Sequence, residues 1–404
     1  RNAPPDFSNP VVRIENRCIR CMRCIQVCEK IQGMNIWDVV GTGIRTTVGV
    51  GRFRTLGESD CTFCGQCVTH CPVGALQEHD DTGKVWDALA NPNKITVVQV
   101  APAVRAAWAE YYHLDPKFAS AQRMVTALKE IGFDYVFDTD FAADLTIMEE
   151  GSEFLQRFTH HDQYKWPMFT SCCPGWVRFV KGQFPEYTTN LSTAKSPLQM
   201  GGALAKTWGA KFLWKCDPRK IFFVSVTPCT AKIFEAARPE MNQGWHWAKE
   251  QGMIPADAPS YQDIDACLTA RDLAELFRRK GVNPLKMDKK RERGTLEIYT
   301  GAGTIFGVSG GVMEAALRTA YFVLSGEELK NADIEIVRGH NNAIVEATIP
   351  VPIKAKGGQT VDIRICVVNG ANQGLEEVLH RVRPDKNRYH FIEVMNCPGG
   401  CVNG

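Results

Sequence analysis

Phe169-Thr170-Ser171-Cys172-Cys173-Pro174-Gly175-Trp176 sets two adjacent cysteines between an apolar segment and a Pro-Gly turn. Neighbouring side chains on an extended segment point in opposite directions, so this pair does not easily ligate one metal together. A disulfide between adjacent residues is strained, which gives the two sulfurs different tasks. Two further segments answer this one. Val226-Thr227-Pro228-Cys229-Thr230-Ala231-Lys232 follows an apolar, strand-like run, and Cys397-Pro398-Gly399-Gly400-Cys401 lies at the C-terminal end. Cys173, Cys229, Cys397 and Cys401 supply four thiolates from three distant segments, the number one cubane iron–sulfur cluster needs. Gly399 and Gly400 let the chain curl so that cysteines four apart reach one cluster. Pro228 fixes a turn at the end of a buried strand, a common place for a ligand. Cys172 is then left beside the cluster as a reactive thiol.

The N-terminal part carries metal-ligand spacing of its own. Cys18, Cys21, Cys24 and Cys28 form one C-x2-C-x2-C-x3-C run, and Cys61, Cys64, Cys67 and Cys71, trailed by Pro72, form another. This is the spacing of two-cluster bacterial ferredoxins, in which the fourth cysteine of each run ligates the other cluster. It predicts one 4Fe–4S cluster on Cys18, Cys21, Cys24 and Cys71 and a second on Cys61, Cys64, Cys67 and Cys28. Zinc held by CxxC pairs is the plainer alternative. Between the runs, the Thr-Val-Gly-Val-Gly stretch at 47–51 reads as a small hairpin. Arg13, Arg17, Arg20, Arg23 and Lys30 crowd the first run against Glu15 and Glu29. They make either a solvated face or a docking surface for an acidic redox partner, where such a field raises the on-rate.

Composition bounds the rest. At 404 residues, 44% apolar and 23% charged, the chain is long enough for two or three domains with sizeable cores. A net charge of +2 carries no nucleic-acid or membrane signal, no run approaches the roughly 18 apolar residues of a span, and no signal peptide is visible. Sixteen cysteines in close arrays argue for metal rather than disulfides, and free thiolates imply a reducing cytoplasm. Arg1 is not an initiator methionine and Gly404 stands just after a cysteine motif, so trimming at both ends is expected.

Residues 1–17 read as an open, Pro-rich arm, and the charged, turn-rich segment Gln77 to Lys94 as a boundary. Beyond it strand and helix patterns alternate. Strands are expected at Ile95–Val100, Tyr135–Phe137, Ile221–Val226, Leu296–Tyr299, 334–337, Val345–Ile349, Val361–Val368 and Phe391–Val394. Helices are expected at Ala119–Ile131, Ala142–Arg157, Ser196–Lys211, Ala266–Arg279 and Gly311–Phe322. Such alternation argues for an α/β fold with parallel sheets and ligand loops at strand ends.

The three cysteine segments closely resemble the signature motifs of iron-only (FeFe) hydrogenases, in order and across nearly the whole chain. The resemblance implies a small α+β two-cluster ferredoxin-like domain at 1–85. It implies an α/β H-cluster domain at 93–404, in two lobes of about 93–207 and 208–404. It implies reversible H2 oxidation and proton reduction. The cofactor is then an H-cluster, a 4Fe–4S cubane on Cys173, Cys229, Cys397 and Cys401. Cys401 bridges it to a di-iron unit with CO, cyanide and a bridging dithiolate. Lys232 matches a lysine that hydrogen-bonds cyanide, a task suited to an ammonium. Pro102 and Ala103 match a cyanide-facing turn, Ser196 in Lys195-Ser-Pro-Leu-Gln199 a segment flanking the di-iron unit, and Met395 a methionine packed against it. Glu150, Glu153 and Arg157 share one helical stripe, which alone reads as a salt-bridged exposed face. With Ser192 they match a proton relay running from Cys172 through Glu150, Ser192 and Glu153 to Arg157. The implied partners are H2, protons and a ferredoxin or another iron–sulfur or flavin redox subunit, the chain working alone or within a larger complex.

Three positions depart from the commonest family pattern. Thr227 stands where a methionine is usual, Ala231 replaces a serine, and Gly201 stands where an aromatic residue is frequent. Together they predict a wetter, looser pocket beside the di-iron unit. Cys216, Cys267 and Cys366 fit no motif, Cys366 reading as a small core hydrophobe. Three other readings stay open: an H2 sensor, an iron–sulfur assembly relative without the di-iron unit, and a polyferredoxin. Cys172 and the acidic relay argue against the first two, and the large α/β region against the third.

Overall fold

The computed structural model describes residues 5–283, 286–287, 298–330, 337–338, 342–354 and 357–404. The chain divides into two compact units, one of 1–79, 146–194 and 305–404, the other of 80–145 and 195–304.

The second unit is built on a four-stranded parallel sheet in the order Tyr135–Asp138, Ile95–Val100, Ile221–Thr227, Ala266–Thr269. Alternate residues of each strand feed opposite faces. Val98, Val100, Val224, Val226 and Leu268 join one apolar core with Leu128, Leu273 and Phe277, while Val97, Ile221, Phe223 and Cys267 join another with Leu198 and Ala205. Helices thus cover both faces, as parallel sheets require.

In the first unit a mixed sheet runs Ile344–Ile353, Gln359–Asn369, Phe391–Met395, Met168–Phe169. Its first pair is antiparallel and the others are parallel. Phe169, Trp176, Val368, Leu375, Val378 and Ile392 pack on one of its faces. The N-terminal segment of this unit has two antiparallel pairs, Val11–Arg13 with Leu76–Glu78 and Trp37–Val40 with Thr47–Val50. The second is the hairpin expected from 47–51. The first draws Val11 and Val12 out of the expected open arm and buries them.

The expected division does not follow these contacts. Lobes at about 93–207 and 208–404 would separate Ile95–Val100 from Ile221–Thr227, which pair along six residues. They would also join Met168–Phe169 to the wrong sheet, since it pairs with Phe391–Met395. Near the boundary expected at 85, residues from 80 onward share the contacts of the second unit. Helix Thr82–Ala90 buries Val85 in the parallel-sheet core, and the Asp81 carboxylate accepts the Cys267 N–H at 3.2 Å. Ala266–Thr269 is a strand rather than the start of a helix. All four residues are buried against Val224–Thr227, and the helix begins only at Ala270. The strand expected at 296–299 lies partly outside the described residues, and 298 and 299 carry no regular structure. Residues 334–336 of the other lie outside them.

Candidate metal centre and proton relay

Both cysteine runs close around cavities, and they do so crosswise. Cys18, Cys21, Cys24 and Cys71 line one with Ile19, Trp37, Val73 and Leu76. Cys28, Cys61, Cys64 and Cys67 line the other with Met34, Ile36, Trp37 and Phe63. Trp37 is the wall common to both. Short helices Arg23–Gln26 and Gln66–Thr69 begin beside left-handed Met22 and Gly65, which turn the chain between ligands. Backbone N–H groups point at sulfur: Ile36 to Cys28 at 3.4 Å, Phe63 to Cys61 at 3.4 Å and Ala75 to Cys71 at 3.2 Å.

The donor set fits 4Fe–4S clusters. Burial pushes the Cys24 thiol up to about 11, Cys61 to about 11 and Cys64 to about 12, and raises Cys28 and Cys67 as well. Thiols so placed ionise near neutral pH only by binding a cation, and apolar walls with sulfur-directed N–H donors suit an anionic cluster. Among the described residues no group of three or more His, Cys, Asp or Glu side chains is arranged for a single metal ion.

Cys172, Cys173 and Cys397 leave the carboxyl ends of adjacent parallel strands, where α/β sheets place ligands. The strand ends are tied together. Thr170 donates its N–H to Ile392 O at 3.0 Å, and its hydroxyl accepts from Val394 N at 3.3 Å. Cys173 stands immediately before helix Pro174–Gln183, whose positive end favours negative charge. The C-terminal loop is braced by Asn369, whose side-chain oxygen accepts from Gly399 N at 2.6 Å and Ser309 Oγ at 2.8 Å. Gly400 has a φ of +94°, and a Cβ there would meet Ser309 N at 2.6 Å, so this curl admits only glycine. Met395 is buried at the strand end just before the loop.

The acidic stripe belongs to this same unit. Helix Thr139–Thr159 is longer than expected and turns Glu150 inward, 1% exposed. The Ser192 hydroxyl and the Ser171 N–H, next to Cys172, favour its carboxylate, while Glu150 Oε2 is buried with no hydrogen-bond partner among the described residues. Ser192 Oγ donates to Glu153 Oε2 at 3.0 Å, and Arg157 donates to Glu153 Oε1 at 2.5 Å. Arg157 also anchors on Asn190 O at 3.4 Å and Leu191 O at 3.0 Å. Ser192 is set there because its N–H bonds Phe169 O at 2.7 Å, with Leu191 bridged to Phe169. Burial pushes the Glu150 carboxyl up to about 8, the neighbouring Glu153 and Glu393 adding to it. The polar line is therefore protonated at its inner end near neutral pH.

The second unit places Pro102 and Thr227 at the ends of adjacent parallel strands, Ala101 N–H bonding Val226 O at 2.9 Å. Pro102 opens helix Pro102–Tyr111, and Ala103 is buried in its first turn. Lys232 pairs with Glu235 at 2.6 Å, and Ser196 Oγ donates to the other oxygen of Glu235 at 2.5 Å. Glu235, 3% exposed, thus joins two expected site residues and was missed in the sequence. Its i+3 spacing from Lys232 was the available signal. Gln199 was passed over as well. It is fully buried and, among the described residues, neither amide atom has a hydrogen-bond partner, an orphan suited to a bound polar group.

Two of the three departures are not empty space. Thr227 Oγ1 donates to Cys229 O at 3.3 Å and lies 3.7 Å from Cys267 Sγ. A Cβ at Gly201 would sit 2.2 Å from Gln99 Oε1, so Gln99 fills the volume of the frequent aromatic side chain. The Gln99 amide donates to Leu198 O at 3.0 Å and Ser225 Oγ at 3.2 Å. At these two positions the expected looseness gives way to a packed polar seam. Cys267, without a motif, touches Thr227 from the apolar core, and Cys366 is likewise a core residue.

The family described as iron only hydrogenase large subunit, C-terminal domain, matches residues 94–404, and a 4Fe-4S dicluster domain matches 17–75. The chain belongs to the iron-only hydrogenase large-subunit family. It is 43% identical over 406 residues to the NADP-reducing hydrogenase subunit HndD of Solidesulfovibrio fructosivorans, covering 99% of this chain and 64% of that protein. It is also 31% identical to cytosolic iron-sulfur assembly component 3 of Rattus norvegicus, covering 86% and 70%. Among solved structures, apo FeFe-hydrogenase HydA1 from Chlamydomonas reinhardtii matches with a TM-score of 0.68 and 32% identity, covering 80% of this chain and 84% of that one. The iron-only hydrogenase fold, an α/β domain behind a ferredoxin-like 4Fe–4S domain, is therefore this chain's fold. Among the described residues no helix is long and apolar enough to cross a membrane.

Proposed function

We propose that this chain catalyses reversible H2 oxidation and proton reduction, with Cys173, Cys229, Cys397 and Cys401 holding an H-cluster cubane and Cys401 bridging to a di-iron unit. The observation that carries the reading is the polar line beside Cys172, which a fold used only for electron transfer has no need of. When bound, the di-iron unit would supply the place where H2 is cleaved or formed. The chain's own residues do the rest. The Cys172 thiol holds or releases a proton. Glu150, Ser192 and Glu153 pass that proton outward, and Arg157 fixes the outer carboxylate. Lys232 would present an ammonium toward cyanide, and Pro102, Ala103, Ser196, Thr227 and Met395 would wall the di-iron unit.

Cys28, Cys61, Cys64 and Cys67 would hold one 4Fe–4S cluster and Cys18, Cys21, Cys24 and Cys71 another, which would supply the path by which electrons leave. Cys21, Arg17, Arg20 and Arg23 are exposed at the latter, which supports docking of an acidic ferredoxin or redox subunit. Likeness to a hydrogenase subunit named NADP-reducing supports a place in a larger complex, which we propose to be a flavin or iron–sulfur one of the cytoplasm.

Anaerobically maturated protein should contain three cubanes plus two irons, show infrared bands of metal-bound CO and cyanide, and exchange electrons with a viologen dye. That metal content without viologen-linked activity overturns the reading. Likeness to the iron–sulfur assembly component supports a second reading, the same fold without the di-iron unit. Infrared bands missing after maturation would favour it.

A further inference from the structure

Helix Pro174–Gln183 starts directly after Cys173, and one turn in it carries Arg178 back onto the other metal loop. Arg178 Nε donates to Cys61 O at 2.6 Å, and Nη2 donates to Ser59 O at 3.0 Å and Gly57 O at 3.3 Å. The guanidinium lies over the Phe63 ring, 4.7 Å from its centroid. Phe63 and Cys61 both line the cavity of Cys28, Cys61, Cys64 and Cys67. Three N–H bonds from a rigid plane thus fall on one turn of chain, and the charge is held over a ring rather than swinging in solvent. Burial lowers the Arg178 pKa, and the nearby Cys61 and Asp60 oppose that shift.

We infer that Arg178 raises the reduction potential of the cluster in this cavity. The inference rests on the proposed 4Fe–4S occupancy of that cavity. One-electron reduction adds negative charge to a cluster that is already anionic with its four thiolates. A fixed cation within the loop stabilises the reduced form more than the oxidised one, and net charge is one of the levers on such potentials. The exposed Arg17, Arg20 and Arg23 by the other cavity cannot act as strongly, because water and salt screen them. Asp60, next to Cys61, opposes Arg178 with a charge of the other sign.

Potentiometric titration of the full chain, followed by the electron paramagnetic resonance of reduced clusters, tests this. The transition of this cavity is first identified as the one altered by Cys64→Ser. In Arg178→Gln it should move to more negative potential, enough to lower the reduced-to-oxidised ratio at fixed potential by about threefold or more. That is roughly 30 mV for a one-electron couple. Arg178→Lys, which keeps the charge but not the planar fork, should stay closer to the wild type. Asp60→Asn should move the same transition to more positive potential, a check that stands even if Arg178→Gln fails to hold its cluster. An unmoved midpoint in Arg178→Gln, or an equal shift in Arg178→Lys, overturns the assignment, the latter by making Arg178 a loop anchor. If the wild-type chain shows no transition that Cys64→Ser alters, the occupancy itself fails, and the inference with it.

Discussion

Glu150 shows what burial does to a single carboxyl. Its pKa is pushed from 4.5 to about 8, chiefly by loss of water and then by nearby Glu153 and Glu393, against the favourable Ser192 and Ser171 contacts. Its folded-state pKa is the raised one. Its contribution to stability is therefore complete below about pH 4.5 and is lost as pH rises through about 8. We expect an infrared pH titration to show a protonated carboxyl band disappearing near pH 8, absent in Glu150→Gln. Turnover in that variant should fall at least ~10²-fold while the CO and cyanide bands persist. Near-normal turnover would route protons elsewhere. Gly201 teaches a different lesson. From the sequence it marks vacated volume, because nothing near it in the chain announces Gln99, 102 positions earlier on strand Ile95–Val100. Gly201→Phe should therefore destabilise the fold by about 1–3 kcal/mol through overpacking, and Gln99→Ala in the same chain should recover much of the loss. Thermal unfolding of the two single variants and the double settles it. Additive losses would show that Gln99 and residue 201 do not share the space.

At the scale of elements, what could be read early was set by periodicity. Ile95–Val100, Ile221–Thr227 and Phe391–Met395 are short apolar runs with clean ends, and helices Ala121–Ile131 and Gly311–Ser325 have strong apolar stripes. The cysteine spacing was legible for the same reason, since ligands of one run are close in sequence. Ala266–Thr269 was not, because Ala-Cys-Leu-Thr runs without a break into an amphipathic helix and only pairing with Ile221–Thr227 makes it a strand. A local signal did exist. Thr269 accepts from Asp272 N at 3.2 Å, and Asp272 accepts from Thr269 N at 2.8 Å, a capping box that fixes the helix start at Ala270. Thr269→Ala should cost about 0.5–2 kcal/mol. Chemical denaturation would detect it, and an unchanged midpoint would mean that strand pairing alone holds the junction.

At the scale of the whole molecule, chain order and spatial order part company, and the sequence could not foresee how. Met168–Phe169 and Phe391–Met395 are more than 200 positions apart yet adjacent, and their pairing brings Cys172 and Cys173 to Cys397. The same unit ties the N-terminal cysteine loops to those ends. Arg178 holds the Cys61 carbonyl, Asn396 donates to Thr62 Oγ1 and Gln32 Oε1 at 3.4 Å each, and Gln66 donates to Asn403 O at 2.6 Å. Every one of these ties ends on the loops of Cys28, Cys61, Cys64 and Cys67 or the helix beside them. The cavity of Cys18, Cys21, Cys24 and Cys71 has instead the exposed Cys21. The two cavities should therefore act in series, the tied one inside and the exposed one outside. Cys71→Ser should remove about four irons and most electron exchange with a protein partner, while a small dye still drives much of the turnover. Cys64→Ser should remove a similar amount of iron and both activities. Iron analysis beside parallel assays with dye and with reduced ferredoxin distinguishes them. Equal loss of both activities in Cys71→Ser would mean that the dye has no entry past the exposed cavity, and the serial order would lose its support.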